Sequence, residues 1–135
     1  MRDQPFSPGF RLSKTDVLVL LIAAISSAAV GSTDIGVDRV IAFVIAFVVC
    51  HFFLFCNVFR ISRPLELVWA GVFLVLGVCT IFFSTPAWPA TFLLAFVVTI
   101  IVVLIEMRKP SYHGILWQRI NPRLRDWRDA KAEVK

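Results

Sequence analysis

Charged positions cut this chain into long apolar runs. Asp16 and Asp34 bracket 17 uncharged residues (17–33), Arg39 and Arg60 bracket 20 (40–59), and Glu66 and Glu106 bracket 39 (67–105). A bilayer core about 30 Å thick takes ~20 residues of helix. The first two runs therefore predict one span each, and the third predicts two. Ser84-Thr85-Pro86-Ala87-Trp88-Pro89 divides the third run, because two prolines among small residues cannot continue a helix. The expected spans are about 16–33, 40–59, 66–84 and 88–107, flanked by tails over 1–15 and 108–135. The predicted fold is all-α: an integral membrane protein of four transmembrane helices arranged as two antiparallel hairpins.

The first run also fits a cleaved leader, with Arg2, Arg11 and Lys14 ahead of an apolar stretch and small residues at 27–29. Two features favour a retained helix. The apolar stretch continues through Val30, and Ser13-Lys14-Thr15-Asp16 reads as a capping box.

Composition strengthens the membrane reading. The chain is 59% hydrophobic and 17% charged, with a mean hydropathy of +0.82. Soluble domains average about 45–50% apolar and 25% charged. At 135 residues there is no room for a soluble catalytic domain beside four spans. Charge then sets the expected orientation. With four spans both termini share a side, and that side holds 13 of the 14 Lys and Arg residues, leaving Arg39 across the membrane. The positive-inside rule puts both termini in the cytoplasm, in a membrane of the bacterial cytoplasmic (inner) type. Trp69 and Trp88 fall near span starts, where interfacial anchoring is the ordinary role of an indole.

Small residues at spacing four predict how the first hairpin packs. Ala23, Ser27 and Gly31 form one ridge and Ala42, Ala46 and Cys50 another. Such ridges let backbones approach closely in lipid. A partner subunit is the alternative contact for either ridge.

Polar atoms within the spans are few. Span two holds Cys50, His51, Cys56 and Asn57. His51 is the one candidate cofactor-binding residue, since an ionisable group in a membrane is a functional hypothesis by default. Haem normally takes two facing ligands, and the second histidine, His113, lies beyond the spans. Metal binding by Cys50, His51 and Cys79 lacks ligand spacing, because adjacent residues point about 100° apart on a helix. Interhelical hydrogen bonds from His51 and Asn57 are the expected use. No catalytic constellation, phosphate loop or intramembrane acid pair is present in the sequence. No cofactor, metal or catalytic residue is expected.

The tail after span four carries eight basic residues and, counting Glu106, four acidic ones. Trp117, Ile120, Leu124 and Trp127 recur at 3-4-3 spacing, with Arg123 and Arg128 beside them. Asn121 and Pro122 read as the N-cap and first position of a helix. The expectation is an amphipathic interfacial helix that docks on the inner leaflet or on a partner. Asp126, Asp129 and Glu133 interrupt the basic patch and argue against nucleic acid.

The functional expectation is a non-enzymatic accessory or assembly subunit, or scaffold, of a larger membrane complex. Its partners are the lipid bilayer and other membrane subunits or further copies of itself. A small oligomeric channel or transporter is the first alternative, and a redox subunit using His51 the second.

Overall fold

The computed structural model describes residues 8–32 and 36–133. Four long helices are present: α1 (Lys14–Gly31), α2 (Gly36–Phe53), α3 (Arg63–Phe83) and α4 (Trp88–Met107). A π-helical turn, Leu54–Phe59, extends α2. Two short helices follow α4: α5 (Trp117–Ile120) and α6 (Leu124–Glu133). No strand occurs among the described residues. All four long helices have the length and apolar composition to cross a bilayer, so the chain is a multi-pass membrane protein.

The helix boundaries follow local chemistry. Ser13 Oγ accepts from the Asp16 amide (3.3 Å), while Asp16 Oδ2 accepts from the Ser13 amide (2.7 Å), closing the predicted capping box. Prolines open α3 and α4, where a missing N–H costs nothing. Ser84, with φ 54°, ends α3 in the left-handed conformation.

α1 pairs with α2, and α3 with α4. The first hairpin is close: a Cβ added at Gly31 would meet Ala42 Cβ at 3.4 Å, and Ser27 Oγ donates to the Ala42 carbonyl (2.8 Å). Ala23 and Ala46 are half-buried, whereas Cys50 is exposed. The second hairpin is held by hydroxyls. Thr80 Oγ1 donates to the carbonyl of Leu76 (2.8 Å), which leaves Thr91 to donate to Thr80 (2.6 Å). The buried stripe of α4 is Thr91, Ala95, Thr99, Val102 and Glu106. Its upper part has the spacing-four pattern of the ridges in α1 and α2.

Aromatic rings join the two hairpins. Phe47 of α2 lies 5.5 Å from Phe73 of α3 and 5.0 Å from Phe92 of α4, and Phe43 meets Phe92 edge-on at 4.7 Å. Nearer the end that holds the α2–α3 connection, Phe55, Ile61, Trp69 and Val102 form the buried core. Trp69 is not an interfacial anchor. It is 2% exposed, and its indole N–H reaches Thr99 Oγ1 (2.8 Å) and the Ala95 carbonyl (3.2 Å). Its position near a span start permitted either role, and the waiting acceptors on α4 decide the matter, because a buried indole needs a partner.

Candidate functional site

His51 occupies the wall of this core, 8% exposed. Its Nδ1–H donates to the carbonyl of Phe47, one turn back in the same helix (2.7 Å). The ring lies 4.7 Å from Trp69 at an interplanar angle of 13°, and 4.1 Å from the Phe47 ring. The expected interhelical hydrogen bond is thus replaced by an intrahelical bond and an interhelical stack. A flat imidazole beside an indole gains more from ring contact than from a search for a distant acceptor.

The polar groups of the bundle gather at the end where the segments just before α1 and just after α4 meet the α2–α3 connection. There a cavity of about 410 Å³ is lined by Cys56, Arg60, Ile61, Ser62, Arg63 and Glu66, with Glu106, Ser111 and His113 opposite. Glu66 and Glu106 are each 4% exposed. Neither carboxylate is isolated. Glu66 accepts from Arg63 Nη1 (3.4 Å) and from the Cys56 thiol (3.6 Å). Lys109 Nζ reaches Glu106 Oε2 and Ser62 Oγ (2.7 Å each), while Ser62 Oγ donates to the same carboxylate oxygen (2.7 Å). Ser62 is also the N-cap residue of α3, so one side chain ties the start of α3 to the end of α4.

Backbone bonds close this end of the bundle. The Gly9 amide donates to the His113 carbonyl (2.8 Å), Arg11 to Asn57 (3.2 Å), and Ile115 to Val58 (2.8 Å). Three stretches distant in sequence are thereby laced together. A Cβ at Gly114 would strike the Phe59 carbonyl oxygen and approach its carbon to 2.7 Å, so only glycine permits this lacing. Tyr112, 1% exposed, donates from its hydroxyl to the Ile115 carbonyl (2.8 Å). Burial, with a smaller contribution from nearby Glu106, raises the tyrosine pKa above its ordinary value.

Asn57 is the buried amide of the π-helical turn. With its nitrogen turned toward the acceptors, Nδ2 donates to Asp16 Oδ2 (3.0 Å) and the Arg11 carbonyl (2.7 Å). It therefore links α2 to α1 and to the segment before it. The turn ends at Arg60, which adopts a left-handed conformation (φ 51°) and directs the chain into the cavity rim. Burial and the nearby positive charge of Arg11 lower the Arg60 pKa.

No family model, curated protein or solved structure matches this chain. The site is therefore read from its geometry alone.

The tail departs from its expected form. Asn121 does not cap a helix with its side chain. Its Nδ2 instead donates to the Pro110 and Tyr112 carbonyls, holding the turn after α4. Pro122 stays outside α6, which begins at Leu124. Leu124 is buried at 1% exposure, so it is unavailable to a membrane surface, and Trp117 lies beside Gly9. Ile120 and Trp127 are half-buried and Arg123 is exposed. Arg128 lies outside the described side chains. The apolar periodicity is real, but part of its face is spent on the protein's own N-terminal segment and lacing.

Sequence reasoning also missed the carboxylate pair. Glu66 and Glu106 served there only as run boundaries, yet each stands on the buried face of its helix. Trp69, three residues after Glu66, was the available signal that this face turns inward. Among the described residues, no group of three or more His, Cys, Asp or Glu side chains is arranged to hold a metal ion.

Proposed function

We propose that this protein is a non-enzymatic accessory or assembly subunit of a larger complex in a bacterial-type cytoplasmic membrane, with both termini in the cytoplasm. The observation that carries this reading is the isolation of α1. It packs on α2, yet none of its residues is buried, and Leu18, Leu21, Ile22 and Ile25 are all more than half exposed. An 18-residue helix packed chiefly on α2 offers a long apolar face to a partner helix in the bilayer. The in-span hydroxyl, indole and imidazole groups bond to neighbouring protein atoms, which supports a scaffold more than an ion path.

Purification in mild detergent, read by mass and absorbance, tests the proposal. A larger membrane subunit should co-purify, and Ile22→Trp with Ile25→Trp on the open face of α1 should release it while the four helices persist. A homogeneous homo-oligomer would favour the channel or transporter reading, and a haem absorbance band the redox reading. Either result overturns the accessory role.

A further inference from the structure

At its polar end the bundle sorts side chains in the order opposite to that of a soluble surface. Asn57, Glu66 and Glu106 are buried, the carboxylates against Arg63, Ser62 and Lys109. Phe10, Leu12 and Leu116, on the segments before α1 and after α4, are each more than half exposed, and Ile115 beside Leu116 is exposed as well. Polar groups turned inward and apolar bulk turned outward suit a surface that meets lipid. The exposed cations of the same segments fit that setting too. Arg11 stands between Phe10 and Leu12, and Arg119 follows Leu116 within one turn. An arginine stem can lie along apolar surface while its charge reaches the headgroups.

Hydrogen bonds fix the depth of these segments. The Arg11 amide donates to the carbonyl of Asn57, and the Ile115 amide to that of the next residue, Val58. Both acceptors belong to the π-helical turn, inside the apolar stretch Arg39–Phe59 that is long enough to cross a bilayer. At about 1.5 Å per helical residue they lie within ~3 Å of the end of that stretch. The Phe10 ring goes deeper, meeting Phe53 at the end of α2 edge-on at 6.3 Å. A solvated tail would project past the helix ends. These segments fold back beside them, and the Gly9–His113 bond joins one to the other. Their apolar side chains thus continue the outer surface of the spans. A soluble partner would have to displace lipid to reach them.

We propose that segments 8–12 and 115–119 form a collar embedded in the leaflet at this end, with Phe10, Leu12 and Leu116 inserted at the boundary between headgroups and acyl chains. The collar differs from the tail helix expected from sequence, since it uses both flanks of the bundle and leaves Leu124 inside the protein. It does not rest on the accessory-subunit reading.

Spin labels on single cysteines test this, in a cysteine-free background of the full-length protein in phosphatidylglycerol–phosphatidylcholine vesicles. Oxygen concentrates among acyl chains, and a water-soluble nickel chelate stays in the aqueous phase. Labels at Leu12→Cys and Leu116→Cys should collide with oxygen several-fold more, relative to nickel, than a label at Arg123→Cys, an exposed tail position outside the collar. Leu74→Cys, on the open surface of α3, supplies the value for a side chain among acyl chains. A ratio at Leu12 and Leu116 equal to that at Arg123 overturns the proposal, because the segments then face water. Shielding of both labels from both reagents also overturns it and assigns the surface to protein. Should Leu116→Cys fail to fold, Leu12→Cys carries the same test alone.

Discussion

At the scale of single residues, the decisive contacts are those a side chain makes across helices. His51 is held by its stack on Trp69 and by the Phe47 carbonyl. Ring contact of this kind contributes about 0.5–1.5 kcal/mol. His51→Phe should therefore retain most of the stability measured by detergent-based unfolding, whereas His51→Gln should lose about that amount. Equal tolerance of the two would show that the stack contributes nothing. Tyr112 is the single tyrosine of the chain, so absorbance of tyrosinate reports on it alone. Its raised folded pKa gives the sign of the pH effect. The stabilisation is fully present below the ordinary tyrosine value near 10 and is lost as pH climbs through the folded value. The ultraviolet titration midpoint of the folded protein should lie above that of the unfolded chain, and coincident midpoints would contradict the buried hydroxyl.

At the scale of elements, the two hairpins use different means. Gly31 and Ser27 bring α1 onto Ala42 by removing bulk and adding one hydrogen bond. Gly31→Leu should lower stability by about 1–3 kcal/mol, the usual cost of overpacking a tight contact. Val44→Leu borders an open groove between α2 and α3 and should be tolerated. Comparable folded yields for both substitutions would show that the approach at Gly31 is not tight. The α3–α4 hairpin relies on hydroxyl and indole bonds, worth about 0.6 kcal/mol each and rarely above 1.7. α4 carried the same spacing as the first two ridges, with threonine in place of glycine and serine. That pattern is legible once threonine counts as a small residue able to bond back to its own helix.

At the scale of the whole molecule, the segments just before α1 and just after α4 meet the α2–α3 connection at one polar end, while the 84–87 connection between α3 and α4 lies at the other. The basic count places the polar end in the cytoplasm as a proposal. A reporter fused after Lys135 should be cytoplasmic, and Asp38→Cys in a cysteine-free background should react with an impermeant thiol reagent from outside. An external C-terminal reporter would sink the proposed orientation. The lacing of Gly9, Arg11, Val58 and His113 implies that this end behaves as one unit, with Gly114 the position least able to accept a side chain.

The sequence by itself determined four spans and their approximate limits, because transfer of apolar surface to lipid depends on composition and length and not on neighbours. It also determined the start of α1, since a capping box is local. The roles of Glu66, Glu106, Trp69 and Leu124 were decided by tertiary structure alone. A carboxylate at a span end faces water or a partner according to what the adjoining helix presents, and here Ser62 and Lys109 receive Glu106. An indole near a membrane boundary faces headgroups unless an acceptor waits behind it, and Thr99 waits. Leu124 had the periodicity of a membrane-facing position and became buried, because apolar spacing shows that a face will be covered without saying by what.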